Sequence, residues 1–225
     1  MSKTIREPRC VIISAGDLTD KKIDLTDDDL CIACDAGFAY ARRMGIFPDL
    51  VVGDFDSAGE AGGEVLNGIR KIAALHPERV VQLQTHKDDT DTLAAVRIGI
   101  ERGFRTFYLY GAMGGKRFDH SFANIQTLLF IKHHGGNGYI VDGDEMLMVI
   151  ENETVRFSRG TTGMISVFSL GAAARSVTLR GLMYSADNIT ITNDFPIGVS
   201  NEFIIDEEAE ITVEDGSLLV AVSGG

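Results

Sequence analysis

Apolar runs alternate with helical patterns along the first 145 residues, and this alternation restricts the fold more than any other feature of the sequence. Short apolar runs have the length of strands, whereas apolar side chains recur at helical spacing in the segments between them. The predicted strands are 10–15, 30–34, 50–52, 80–83 and 104–110, and the predicted helices are 38–44, 60–75, 91–102 and 122–133. Such an order predicts an α/β domain over residues 1–145, with a mostly parallel sheet between two layers of helices.

The pattern changes after residue 145, where helical spacing gives way to short alternating runs separated by glycine and Asn/Asp pairs. The runs are 146–150, 153–157, 164–169, 176–179, 188–192, 210–213 and 218–222. This part of the chain predicts a second, all-β domain over residues 146–225, built as an antiparallel sandwich or small barrel.

Net charge narrows the possible ligands. A formal charge of -12 argues against nonspecific binding to nucleic acid or to an anionic membrane, since both need a basic face. Because no apolar run approaches the roughly 18 residues of a membrane helix, we expect a cytoplasmic protein. The three cysteines indicate reduced thiols, and Cys31 and Cys34 lie three apart on a predicted strand, so they should face opposite ways.

Two carboxylates follow the apolar run 50–52 directly, at Asp54 and Asp56. Side chains two apart on a strand leave on the same face, so the pair would suit a hard divalent ion such as Mg²⁺. The alternative is that Asp54 caps a turn while Asp56 or Ser57 caps the next helix.

Two further loops carry charge at predicted strand ends. One of them is Lys87-Asp88-Asp89-Thr90-Asp91, at the start of a predicted helix. Its acids offer metal ligands, and its lysine offers a partner for phosphate. The alternative is that the segment serves only as a helix cap. Residues 111–120 form a glycine-rich turn in which Gly111, Gly114 and Gly115 let backbone amides approach an anion, with Lys116 and Arg117 adding positive charge. Alternatively, Asp119 caps the following helix and His120 lies on its surface.

All these loops should lie at one edge, because ligands of open parallel sheets bind beyond the carboxyl ends of the strands. Gly16, Asp35 and Gly37 also follow apolar strands and join this set. Together the loops predict metal-assisted phosphoryl or pyrophosphoryl transfer from a nucleotide, with the acceptor left open.

The chain resembles thiamine pyrophosphokinases in the order and spacing of several motifs over residues 35–204. The motifs are Gly53-Asp54-Phe55-Asp56-Ser57, Lys87-Asp88-Asp89-Thr90-Asp91, the glycine turn with Arg117-Phe118-Asp119-His120, Gly181-Leu182-Met183-Tyr184 and Gly198-Val199-Ser200-Asn201-Glu202. The resemblance implies transfer of pyrophosphate from ATP to the hydroxyl of thiamine, giving thiamine diphosphate and AMP. It also implies a Rossmann-like catalytic domain, a C-terminal β-sandwich, and a homodimer that binds thiamine where the two kinds of domain meet across subunits.

The same resemblance implies roles for individual residues. Asp54, Asp56 and Asp91 would hold Mg²⁺, Asp88 and Asp119 would lie nearby with one of them orienting or deprotonating the attacking hydroxyl, and Asp35 would meet adenosine. The glycine turn and Arg117 would hold the ATP phosphates. Ser200 and Asn201 would bind the aminopyrimidine of thiamine, with Tyr184 or Phe195 stacking on the cationic ligand.

The chain departs from the family pattern in two ways. Lys116 lengthens the third motif by one residue, which leaves open which cation meets phosphate, and the chain lacks the tryptophan that stacks on thiamine in some members. Two other functions remain alternatives at this point: a Mg²⁺-dependent kinase or nucleotidyl transferase acting on another small alcohol, and a noncatalytic sensor of thiamine or a nucleotide.

Overall fold

The computed structural model describes residues 6–18, 22–55, 63–84, 89–115 and 117–224. Within these ranges the chain divides into two compact units, residues 1–143 and 144–225. The division lies two residues before the boundary expected at 145. No helix among the described residues is both long and apolar enough to span a membrane.

Six parallel strands form the sheet of the first unit. Their order across the sheet is β6-β5-β1-β2-β3-β4, so the chain begins at the centre and adds strands on both sides. The strands are β1 (Arg9–Ile13), β2 (Leu30–Cys34), β3 (Leu50–Gly53), β4 (Val80–Gln82), β5 (Thr106–Tyr110) and β6 (Asn137–Asp142). The parallel pairing predicted from the alternating pattern is confirmed for these strands.

Helices cover both faces of this sheet. They are α1 (Gly37–Arg43), α2 (Gly63–Leu75), α3 (Asp91–Glu101) and α4 (Phe118–His133), with a 3-10 turn at Pro77–Arg79. Val11 and Ile13 pack on one face with Phe38 of α1 and Ile69 of α2. On the other face Gly99 lets α3 approach Cys10 of β1 closely, because a Cβ added there would lie 2.8 Å from the thiol sulfur.

The three cysteines are buried, and none of these described residues is in a disulfide. Cys31 packs in the cluster beneath α1 and α2, whereas the Cys34 thiol donates to the backbone oxygen of Asp91 in α3 at 3.5 Å. The two thiols of the C-x-x-C motif therefore face opposite sides of β2, as the spacing predicted. Burial raises the pKa of the Cys31 thiol to about 12 and raises that of Cys10 further.

The second unit contains two antiparallel arrangements of strands. One has the order β12-β9-β14-β7 and the other β11-β10-β13-β8. The strands are β7 (Glu145–Glu151), β8 (Thr154–Phe157), β9 (Met164–Ser169), β10 (Ala173–Arg180), β11 (Ala186–Thr192), β12 (Asn201–Glu202), β13 (Ala209–Thr212) and β14 (Ser217–Ser223). The antiparallel pairing expected from the alternating runs is confirmed.

Candidate active site

Asp35 turns the chain directly after β2 and is the buried carboxylate of this edge. Its φ of 45° is left-handed, a conformation that Asp tolerates better than most residues. The carboxylate lies against Gly53 at the end of β3, where an added Cβ would collide with its Oδ1. The N–H of Phe55 donates to the same oxygen at 3.3 Å. Residues from two neighbouring strand ends thus fix the position of this carboxylate.

Asp54 and Asp91 interact electrostatically with Asp35. Burial raises the pKa of Asp35 to about 7, and a hydrogen bond with Asp91 and the charges of Asp91 and Asp54 raise it in the same direction. Three carboxylates from β2, β3 and α3 therefore share one region at the carboxyl edge of the sheet. The sequence placed each of them at this edge but did not show that Asp35 lies at the centre.

Asp91 is held there by the start of α3. The hydroxyl of Thr90 accepts from the N–H of Leu93 at 3.2 Å, so Thr90 is the N-cap of the helix. One residue earlier, Asp89 pairs with Arg97 at 2.9 Å. The helix start thus separates two acids of the motif: Asp91 interacts with Asp35, and Asp89 forms an ion pair with its own helix.

Asp54 follows the last residue of β3, and Phe55 after it has a left-handed φ of 62°. The strand alternation from which Asp54 and Asp56 were predicted to share a face does not extend past Phe55, so the shared face stays a prediction. Asp56 itself lies outside the described residues, as do Lys87, Asp88 and Lys116. Among the residues that are described, no group of three or more His, Cys, Asp or Glu is spaced as a ready metal site.

The glycine turn after β5 is bound to the loop after β1. The N–H of Gly16 donates to Gly111 O at 2.7 Å, and the N–H of Asp17 donates to Met113 O at 3.0 Å. In return, the Asp17 carboxylate accepts from the N–H of Gly115 at 2.7 Å. Gly114 and Gly115 both have positive φ, 71° and 77°, which glycine adopts without strain.

Two buried side chains support the turn from α4. Asn124 donates to Ala112 O at 2.6 Å, and the hydroxyl of Ser121 donates to Gly114 O at 3.4 Å. Asp17 and Asn124 were missed in the sequence, where a single Asp after a glycine and a single Asn within a helix carry no distinctive pattern. Asp17 bonds to a residue 98 positions away and Asn124 to one 12 positions away, so only the folded structure identifies these contacts.

The helix α4 begins at Phe118, four residues before the predicted start. Asp119 and His120 consequently belong to its exposed first turn, and the interpretation of Asp119 as the N-cap is wrong, since Arg117 occupies that position. The Arg117 guanidinium pairs with Asp119 at 2.5 Å and lowers the pKa of that carboxyl. Gly37, by contrast, is buried beside β1, where an added Cβ would collide with the backbone oxygen of Ile13.

A small cavity of about 150 Å³ lies in the second unit, between β11 and the segment that precedes β12. Tyr184 and Asn201 line it together with aliphatic side chains, among them Ile189 and Val199. Asn201 is buried, and its amide is engaged by the backbone of Tyr184: Oδ1 accepts from the N–H at 2.9 Å and Nδ2 donates to the carbonyl at 2.7 Å. The Tyr184 side chain remains largely exposed.

Ser200 is the last residue of that segment, next to Asn201, and has a left-handed φ of 57°. Its N–H donates to the Ser166 hydroxyl at 3.0 Å, which ties the segment to β9. Phe195, the second aromatic considered for stacking, is also exposed.

Two family models match the chain, one in each compact unit. Residues 24–140 match the model of the thiamin pyrophosphokinase catalytic domain, and residues 152–218 match that of the thiamin pyrophosphokinase vitamin B1 binding domain. The chain belongs to the thiamine pyrophosphokinase family. It is therefore a thiamine diphosphokinase, an enzyme that transfers pyrophosphate from ATP to thiamine.

Solved structures of thiamine pyrophosphokinases share the fold. The Bacillus subtilis structure is 24% identical with a TM-score of 0.81, covering 96% of this chain and 99% of its own. The Geobacillus thermodenitrificans structure is 26% identical with a TM-score of 0.80, covering 96% and 98%. The Candida albicans structure is 14% identical with a TM-score of 0.73, covering 97% and 89%. A comparison with curated proteins gives no match.

Proposed function

We propose that the acidic edge of the first unit carries out the pyrophosphoryl transfer with Mg²⁺, which Asp54, Asp56 and Asp91 would hold. The observation that carries this proposal is the electrostatic interaction of Asp54 and Asp91 with the buried Asp35. Gathering carboxylates costs free energy, and a divalent cation offsets that cost. The donor set fits, since carboxylate oxygens are the protein ligands that Mg²⁺ prefers. When bound, the ion neutralises negative charge on the transferring group.

The ATP phosphates are assigned to the glycine turn and Arg117. The Gly115 N–H is already engaged by Asp17, so the contribution of that residue is the shape of the turn. The Arg117 pair with Asp119 is exposed on both sides. Such surface pairs contribute little to stability, so the guanidinium can exchange its carboxylate for phosphate oxygens at small cost.

Asp119 is assigned to orienting the attacking hydroxyl rather than to taking its proton. Arg117 lowers its pKa while the two side chains are paired, and once Arg117 has moved to phosphate an exposed aspartate without a raised pKa is still a weak base at neutral pH. Asp88, the other residue considered for the proton, lies outside the described residues. His120 and Lys87 are also assigned to the ATP phosphates. Gly37 and Asp35 are assigned to contacts with adenosine.

Thiamine is assigned to the second unit, at the cavity beside Tyr184. The exposed aromatic ring of Tyr184 offers a face to a cationic ligand. Asn201 holds the backbone of Tyr184 through two hydrogen bonds. Ser200 is assigned to a hydrogen bond with the aminopyrimidine of thiamine. On this proposal, residues 1–145 form a Rossmann-like ATP and Mg²⁺ domain, and residues 146–225 form a thiamine-binding β-sandwich. A homodimer in the cytoplasm remains the proposed working form.

The test is turnover of ATP and thiamine with Mg²⁺, with nucleotide and thiamine products separated by chromatography. The parent should give AMP and thiamine diphosphate, whereas Asp54→Asn and Asp91→Asn should lose at least about a hundredfold in turnover because the proposed ligands are gone. Asp89→Asn is the matched control, since Asp89 pairs with Arg97 instead. Normal turnover in folded Asp54→Asn or Asp91→Asn protein would contradict the metal assignment.

A further inference from the structure

A second cavity lies in the first unit, away from the acidic edge. It encloses about 560 Å³, within the size range of small-molecule sites. Phe47 and Pro48 line it just before β3 begins, and Arg79 lines it just before β4 begins. In a parallel sheet the amino ends of the strands share one edge and the carboxyl ends share the other. The cavity therefore opens at the edge opposite Asp35 and Asp54.

Positive charge dominates the lining. Arg42, Lys71 and Arg79 line the cavity against one carboxylate, that of Glu64. Among the described residues, no carboxylate lies within ion-pair distance of Arg42 or Lys71. In a chain of net charge -12, a local excess of cations favours an anion that the rest of the surface repels.

The lining is also built to a fixed shape. Arg79 donates to Pro48 O at 2.5 Å and to Asp49 O at 3.3 Å, which anchors its guanidinium to the loop before β3. Gly68 lies inside α2, where glycine costs about 1 kcal/mol relative to alanine. Its missing Cβ leaves room for the Arg42 guanidinium, which would lie 3.2 Å from such an atom.

An aromatic surface adjoins these cations. Phe47 is 88% exposed, which is unusual for a residue of this size, and Ile46 and Ile72 line the cavity beside it. An exposed aromatic ring next to two guanidinium groups and an ammonium group matches a ligand with a flat ring at one end and phosphate at the other.

We propose that the cavity lined by Arg42, Phe47 and Lys71 is a second binding site for an aromatic phosphate, distinct from the active site. Two products of the family reaction have this chemistry, AMP and thiamine diphosphate. Phosphate oxygens would meet Arg42 and Lys71, and the ring would lie on Phe47.

The test is a nuclear magnetic resonance titration of the full chain with AMP and, separately, with thiamine diphosphate. We expect one of the two to shift the amide signals of Asn67, Gly68 and Lys71 in a saturable way, and the ligand that does so identifies the source. Lys71→Glu should weaken this binding about tenfold or more, the effect of losing a charge-assisted hydrogen bond. Arg70→Glu is the matched control, an exposed cation on the same helix that does not line the cavity.

Phe47→Ala should weaken binding of the aromatic phosphate and leave any binding of inorganic pyrophosphate unchanged. Neither Lys71 nor Phe47 belongs to the proposed catalytic machinery, so turnover in both variants should match the parent at low product concentration. Unmoved signals of Asn67 and Gly68 with both ligands would overturn the proposal, as would equal weakening by Arg70→Glu. Either result would leave the active-site assignment intact, because that assignment rests on Asp54 and Asp91.

Discussion

The Asp29 carboxylate connects the first strand to the turn before the second. Its side chain is buried and accepts from the N–H and the guanidinium of Arg9, from the N–H of Thr26, and from Arg6. Burial by itself would raise the pKa of Asp29, but the hydrogen bonds from Arg9 and Thr26 and the charge of Arg9 lower it to about 2.

This carboxylate makes stability depend on pH. Its pKa is below the value of about 3.9 in an unfolded chain, so the stabilisation is complete above that pH and is lost as the pH falls through 2. Asp29→Asn should reduce the free energy of unfolding by about 2 kcal/mol at pH 7, and the difference should shrink below pH 4. Denaturant unfolding at several pH values measures this. Asp28→Asn, at an exposed neighbour, is the control; a pH-independent difference would contradict the prediction.

Asp17 should affect binding of ATP without contacting thiamine. Asp17→Ala removes the acceptor of the Gly115 N–H and loosens the glycine turn, so the KM for ATP should rise about tenfold while the KM for thiamine stays unchanged. Asp17→Asn keeps an acceptor oxygen and should recover most of the loss. Steady-state kinetics with each substrate varied in turn measures both values, and an equal rise in the two KM values would indicate a general loss of structure instead.

At the scale of the element, the start of α3 determines where Asp91 lies. Thr90→Ala should lower the free energy of unfolding by about 1 kcal/mol because the N–H of Leu93 loses its cap. Thr90→Ser keeps the hydroxyl and should match the parent. Thermal or denaturant unfolding of the three proteins measures these differences in stability. A Thr90→Ala protein as stable as the parent would show that the cap contributes nothing to stability.

Elements with strong local patterns could be predicted from the sequence. β2 and β9 agree with the prediction to the residue, since each is an apolar or strictly alternating run with a clear boundary. β6 and β12 were missed. β6 starts with Asn and Gly and becomes a strand through pairing with β5, and β12 has two residues that pair with β9. Long-range pairing of this kind leaves little trace in the local sequence.

The residues of the candidate site also fall into two groups, those that a local sequence pattern predicted and those that it did not. Asp54 and Asp91 were predicted because an apolar run stops at each loop, and a residue at a strand end has a known edge. The start of α4 was misplaced because Phe118, Asp119 and His120 are all exposed and show no apolar period. Asp17 was missed because its partner, Gly115, lies 98 positions away in the chain.

At the scale of the whole molecule, the proposed homodimer makes a prediction that mixing can test. In the proposed dimer each active site uses residues of both chains. Equal amounts of Asp91→Asn and Tyr184→Ala protein are mixed and allowed to reassemble, and the mixture should recover about a quarter of the parental turnover. The recovery arises because a mixed dimer has one site with both residues intact. Sedimentation should first give a mass near twice 24.4 kDa. No recovery from a dimer of confirmed mass would place both residues of a site in one chain.

The buried cysteines have a practical consequence for spectroscopy. Reagents such as maleimides react with exposed thiolates, and Cys10, Cys31 and Cys34 are all buried, two of them with strongly raised pKa values. The native thiols should therefore not react with labelling reagents in the folded protein. A cysteine introduced at an exposed position such as Leu75 would take a fluorophore or spin probe selectively, with no need to remove the natural ones first.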